Sequence, residues 1–250
     1  MNSKQSIISL GIGALFCLSA LAPVHAAISL DRTRIVFDGG KKAVSLSVTN
    51  NNQKLPYLAQ GWIEDTEGKK IQAPLTVLPP IQRIEPGSKS QVKIQGLPST
   101  ASLQQDRETL YYFNLREIPP RSNKPNTLQL ALQTKVKLFY RPESIYVDPN
   151  AAPVQNALTL TRQGNKYIIN NPTPYYITIV EARSVVGGKP VSGFNSLLLA
   201  PKSDLTLTAE ASKLGANPVL TYINDYGGRP QIQFTCKENK CSATEVKNKS

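Results

Sequence analysis

The sequence predicts an all-β protein made of two immunoglobulin-like β-sandwiches, and three observations lead to that class. Apolar and polar residues alternate in short runs, as in Val44-Leu46-Val48, Tyr111-Phe113-Leu115 and Tyr175-Ile177-Ile179, and period-two alternation marks half-buried strands. Turn-forming clusters separate the runs, among them Asp38-Gly39-Gly40, Asn50-Asn51-Asn52 and Glu85-Pro86-Gly87. The chain also holds 19 prolines and little helical periodicity, and proline breaks helix interiors.

The first 26 residues read as a cleaved leader rather than as fold. Lys4 supplies a thin positive start, Ile7 to Ala22 an apolar stretch, and Val24-His25-Ala26 a small-x-small processing site. The apolar stretch is short for a membrane span. An exported chain beginning near Ala27 is therefore expected, with no direct membrane insertion.

Residues 27–142 form the first expected sandwich. The runs at Val44-Leu46-Val48, Leu58 and Trp62, Val92 and Ile94, and Tyr111-Phe113-Leu115 supply strands. Trp62, the only tryptophan, is expected as the core indole of a third strand. Leu103-Gln104-Gln105-Asp106 is expected as one helical turn. The last run, Thr127 to Pro142, is the longest. Leu128, Leu130, Leu132, Val136, Leu138 and Tyr140 fall on one face, with only Thr134 interrupting, and Gln129, Gln133, Lys135 and Lys137 fall on the other. Ordinary strands run about 5–6 residues. Such a run is either a long central strand or one that overshoots its own core and offers the surplus to a partner.

Pro142 and Pro149 bracket a segment suited to a hinge, because proline cannot continue a ladder. Residues 143–250 form the second expected sandwich, with runs at Leu158-Leu160, Tyr167-Ile169, Tyr175-Ile177-Ile179, Leu197-Leu199, Leu205-Leu207, Leu220-Tyr222 and Ile232-Phe234. Asn171-Pro172-Thr173-Pro174 and Asp225-Tyr226-Gly227-Gly228 are its strongest turn signals. Two domains meeting at a hinge enclose a cleft, a favoured place for binding. Cys236 and Cys241 read as one small disulfide loop across a turn in an exported chain. A metal site needs more ligands nearby, and redox pairs usually space two residues apart.

Removal of the leader takes the only histidine and the only methionine with it. Histidine is the commonest general acid or base and metal ligand, so its loss weakens every hydrolase or zinc reading and leaves carboxylate or Ser-Lys chemistry open; no metal or other cofactor is expected. Loss of Lys4 lowers the net charge of +12 by one. The basic residues spread along strands and turns, without the dense cluster or aromatic signature of a nucleic-acid binder. No nucleic-acid partner is expected. The bland reading is a solvated basic surface; the sharper one is cations converging on a cleft.

Several motifs name a family. Leu30-Asp31-Arg32-Thr33-Arg34, Leu55-Pro56-Tyr57-Leu58-Ala59-Gln60, Arg83-Ile84-Glu85-Pro86-Gly87 and Tyr112-Phe113-Asn114-Leu115-Arg116-Glu117-Ile118-Pro119-Pro120 resemble segments of the periplasmic chaperones of chaperone–usher pili. So do Lys137 to Pro142, Asn171 to Tyr175, and Tyr222 to Pro230. The resemblance covers residues 27–242. It implies two immunoglobulin-like domains in an L or boomerang arrangement, and a periplasmic chaperone, not an enzyme, that caps pilus subunits and delivers them to an outer-membrane usher. The subunits would be incomplete immunoglobulin-like domains completed by a lent edge strand. By the resemblance, Leu128, Leu130 and Leu132 hold the donor positions. Arg34 and Lys137 anchor the subunit's terminal carboxylate, and Glu108, Arg141 and Asp225 form an ion network between the domains. Self-association of the subunit-free form through the same edge is a further expectation. The short segment from Glu117 to Asn126 resembles chaperones of rod-like pili.

Strict alternation puts Lys137 on the face opposite the donor leucines. The carboxylate must therefore be met from the other side of the sheet, or a twist or bulge must re-aim the strand. Two rival readings follow from the residues. A structural fibre subunit would be exported and β-rich, but would carry one domain and an aromatic-ended terminal strand. A carboxylate-based glycosidase would need a marked Asp/Glu pair, and none stands out.

Overall fold

The computed structural model describes residues 26–148 and 150–246. The expected leader lies outside the described residues except for Ala26, as does Pro149. The first domain contains β1 (Ile28–Leu30), β2 (Arg34–Asp38), β3 (Ala43–Asn50), β4 (Tyr57–Glu64), β5 (Lys70–Ile71), β6 (Leu75–Leu78), β7 (Ile81–Ile84), β8 (Lys89–Gly96), β9 (Thr109–Ile118) and β10 (Gln133–Arg141). One sheet runs β1-β3-β8-β6; the other runs β2-β10-β9-β4-β5, with β7 added to β4. Between them lies a core that includes Ile35, Phe37, Leu46, Ile63, Ile94, Phe113 and Leu138. Fully burying such a side chain contributes about 1.5–3 kcal/mol, so the alternating runs themselves hold the two sheets together.

Three expectations need correction here. Trp62 is not a core indole. In β4 the buried positions are Ala59, Gly61 and Ile63, so Trp62, one residue out of phase, lies half-buried on the outer face. A side chain at Gly61 would crowd Val77 and Phe113, 3.0 and 3.3 Å away, so the core side of this strand has no room for a large group. Outside, Trp62 Nε1 donates to Glu64 Oε1 at 2.7 Å, and Lys70 and Arg116 stack on its ring.

The helical turn is at Pro98–Ser102 rather than after Leu103. Pro98 presets its first residue, and Leu103 closes it by donating from N to Thr100 O.

The long last strand is shorter than its pattern. The ladder of β10 begins at Gln133, and Leu128, Leu130 and Leu132 precede it outside any strand. Its partner runs out first. Glu117 N still donates to Leu132 O at 3.0 Å. Continuing the register of Gln133 with Arg116 sets Pro119 opposite Leu130 and Pro120 opposite Gln129, and proline has no N–H to give a ladder.

The second domain contains β11 (Thr159–Gln163), β12 (Lys166–Asn171), β13 (Ile177–Arg183), β14 (Leu197–Leu199), β15 (Ser203–Thr206), β16 (Val219–Ile223), β17 (Gln231–Lys237) and β18 (Lys240–Glu245). These eight strands form one hydrogen-bonded path, β14-β13-β16-β17-β18-β11-β12-β15. Its two end strands, β14 and β15, approach each other, so the path curls around one core of Leu160, Tyr167, Ile179, Tyr222, Phe234 and their neighbours. Cys236 and Cys241 are joined by a disulfide between β17 and β18, as the spacing predicts.

Candidate functional site

β10 controls the geometry of the site. On one side it pairs with β9 along nearly its whole length, but on the other it pairs with β2 only from Lys137 onward. Residues 133–136 and the segment before them therefore present an open edge among the described residues. Unpaired edge groups template further strands. Just upstream, Leu128, Leu130 and Leu132 are 82%, 64% and 40% exposed. Together with Tyr57, Leu55 and Pro120 they line a cavity of about 910 Å³.

The open edge ends where β2 begins, and there the cations sit. β2 and β10 are parallel and pair Arg34 with Lys137. No register shift interrupts β10, so strict alternation holds. Val136, Leu138 and Tyr140 enter the core. Lys135, Lys137, Phe139 and Arg141 take the opposite face; Lys135 pairs there with Glu64 Oε2 at 2.7 Å, and further along Phe139 meets the second domain, stacking on Tyr176 with centroids 5.7 Å apart. No bulge therefore re-aims Lys137.

Arg34 is buried, donates from one guanidinium nitrogen to Ile223 O at 3.2 Å, and leaves Nε without a partner. Burial lowers the Arg34 guanidinium from its ordinary value, although Asp225 pulls the other way. Burial also lowers the Lys137 ammonium, and adjacent Arg34 lowers it further. Neither forms an ion pair with a carboxylate among the described residues. Two desolvated cations side by side repel each other, and an anion placed between them relieves both penalties.

Beside this crease Arg141 joins the domains. It donates to Glu108 Oε1 at 2.8 Å and to both oxygens of Asp225 at 2.8 and 3.2 Å. Glu108 also accepts from Tyr176 N at 2.7 Å, and its own N–H donates to Pro174 O at 2.9 Å. The loop carrying Asp225 packs closely: Gly227 has φ of 85°, and a Cβ there would lie 2.7 Å from Thr33 Oγ1. A cleft of about 400 Å³ opens between the domains, lined by Arg34, Phe139, Arg141, Tyr175 and Tyr226 among others. The sequence does not reveal Tyr175 and Tyr176 as interdomain contacts, because the pattern there marks only strand and turn. Yet the Tyr175 ring lies under Arg141 and its hydroxyl donates to Ile145 O.

The network carries a pH signature. Burial pushes Glu108 up to about 7 from 4.5, outweighing the pull of Arg141 and of the Tyr176 N–H. A carboxyl with a raised folded value binds its proton more tightly in the fold. Its contribution is full below 4.5 and is lost as pH rises through about 7. The urea midpoint of the wild type is expected to fall between pH 5 and pH 8, and Glu108→Gln, which stays neutral, is expected to flatten that fall. Parallel slopes in the two proteins would refute the assignment.

An open strand edge with exposed leucines, ending at two cations that form no ion pair among the described residues, in the crease of two β domains, defines a protein built to present an edge. Comparison with known proteins identifies the particular kind. The family model "Pili and flagellar-assembly chaperone, PapD N-terminal domain" matches residues 27–146, and "Pili assembly chaperone PapD, C-terminal domain" matches residues 153–234. The chain belongs to this family of pilus-assembly chaperones.

It is 48% identical over 232 residues to the probable fimbrial chaperone YfcS of Escherichia coli K12, covering 93% of this chain and 90% of that one. It is 47% identical over 231 residues to the chaperone protein PapD of Escherichia coli, covering 92% and 95%. Among solved structures it resembles the periplasmic chaperone SfaE, with a TM-score of 0.67, 30% identity and coverage of 84% and 100%. It also resembles a chain in the complex of Salmonella enterica SafA pilin with the SafB chaperone, with a TM-score of 0.70, 28% identity and coverage of 86% and 99%. Among the described residues no helix is long and apolar enough to cross a membrane.

Proposed function

We propose that this chaperone works in the periplasm, after removal of a leader near Ala27, by lending β10 and the segment before it to pilus subunits. The subunit's missing strand exposes an apolar groove. Leu128, Leu130 and Leu132 fill that groove at alternate positions while the backbone edge supplies hydrogen bonds. Arg34 and Lys137 grip the carboxylate at the end of the incoming strand. The Glu108, Arg141 and Asp225 network sets the angle between domains 27–142 and 143–250; a buried ion network of this kind fixes geometry more than it stabilises. The loaded subunit passes to an outer-membrane usher. Without a subunit, two copies of the chaperone cover each other's edge. No cofactor enters this mechanism, and no bond is made or broken.

One observation supports this reading above the rest: the open edge of β10 stops at the Arg34–Lys137 pair. A strand added along that edge runs into two cations that form no ion pair among the described residues, with Asp225 acting on Arg34 only at a distance. Co-expression in the periplasm with a pilus subunit is expected to yield a one-to-one complex and to protect the subunit from proteolysis. Subunit levels unchanged by the chaperone, with no complex recovered, would overturn the proposal.

A further inference from the structure

We propose that Glu117 is the receptor for the α-ammonium group that leader removal creates on Ala27, so that processing itself fastens the first strand to the base of the donor segment. The inference deepens the reading above, because it takes the exported, processed chain as the working form.

Tyr111, Phe113 and Leu115 occupy the core face of β9, and the next position in that row is Glu117. A carboxylate has taken a core-facing place and is only 5% exposed. Its side chain accepts one hydrogen bond, from Ile28 N to Oε2 at 2.8 Å. No lysine or arginine pairs with it among the described residues. A buried carboxylate without a cation carries a large desolvation penalty.

The missing cation is one residue away. Ala27 precedes the donor of that hydrogen bond, and consecutive backbone nitrogens are three bonds apart, less than about 4 Å. Ala27 is held in place, since its carbonyl accepts from Asn51 N at 2.7 Å. The small-x-small signal Val24-His25-Ala26 puts the cut on the amino side of Ala27. In the precursor, Ala27 N is a neutral amide. Hydrolysis of the Ala26–Ala27 bond leaves an acid on Ala26 and an amine on Ala27, which takes a proton at neutral pH. That ammonium has three donors and a full charge beside a carboxylate with acceptor capacity to spare.

The pair would sit at the root of the donor segment. Glu117 N makes the last backbone-to-backbone bond to that segment, to Leu132 O at 3.0 Å. The same residue thus holds the donor root by its backbone and the first strand by its side chain. Ala26, Ala27 and Glu117 line the same cavity as Leu128, Leu130 and Leu132. A chain still bearing its leader lacks the clamp and so presents a looser donor base.

The test uses exported protein, with the first residue fixed by mass spectrometry and the α-amine titrated by NMR. An ordinary α-amine titrates at about 7.7–8.0. In the wild type it is expected at least about one unit higher, and Glu117→Gln is expected to return it to the ordinary value. Inserting one glycine before Ala27 keeps an ammonium but moves it away, and is also expected to give the ordinary value. Each change is expected to lower complex yield with a subunit several-fold, and the two together no further than either alone. An ordinary α-amine in the wild type, unmoved by Glu117→Gln, would overturn the clamp while leaving subunit capture intact. Processing at another residue would overturn it as well. Loss of capture despite a raised α-amine would instead count against the proposed function.

Discussion

Lys137→Ala is expected to abolish subunit capture while leaving the free chaperone folded. Truncating one partner of a desolvated charge pair costs about 2–5 kcal/mol, which is about thirty- to several-thousandfold in affinity. The free protein is in the opposite position. There Lys137 is half-buried, forms no ion pair among the described residues and is repelled by Arg34. Removing it relieves a like-charge contact, so the melting temperature is expected to stay level or rise. Arg34→Ala is expected to lose capture too, but with a lower melting temperature, because Arg34 also donates to Ile223 O across the domain boundary. Complex recovery and thermal melting measured on the same preparations separate the two. Full recovery of complex with Lys137→Ala would remove this residue from the anchor.

The all-β class and the disulfide were legible from alternation, turn chemistry and cysteine spacing, because each is written in residues close together in the chain. Leu46, Val48, Val92, Ile94 and Phe113 are buried as their period requires. The misreading of Trp62 has a plain physical origin: period two says which residues share a face, but not which face is inside. In β4 the small residues Ala59 and Gly61 face the core, and the larger Leu58 and Trp62 face outward. Size therefore pointed to the wrong side. Likewise, the pattern from Leu128 onward is real, but a strand also needs a partner, and Pro119 and Pro120 deny it one. Long-range pairing decides both points. The same holds for Arg34 and Lys137, far apart in sequence and neighbours only because β2 runs parallel to β10. Composition alone gives no reason to couple them; the resemblance does.

The donor segment itself gives the second large effect, which Leu130→Glu is expected to reveal. Leu130 is the middle of three alternating leucines, and in the free chain it is already mostly exposed. Replacing it therefore costs the free protein little, since no core is opened. In the complex the new carboxylate would enter an apolar groove without a partner, at a cost of several kcal/mol or with forced protonation. The control is a glutamate one residue along. Gln129→Glu is the less clean choice, because Gln129 Nε2 donates to Pro120 O in the free chain. Ala131 is exposed and forms no side-chain bond, so Ala131→Glu adds the same charge on the opposite face and changes little else. Leu130→Glu should eliminate complex and assembled pili, counted by electron microscopy. Ala131→Glu should retain most of both, and both variants should melt close to the wild type. Equal loss from the two would show that charge near the edge, not alternate-residue filling, is what the groove rejects. Loss from neither would mean that subunits do not bind along this segment, and the free leucines would then need another explanation.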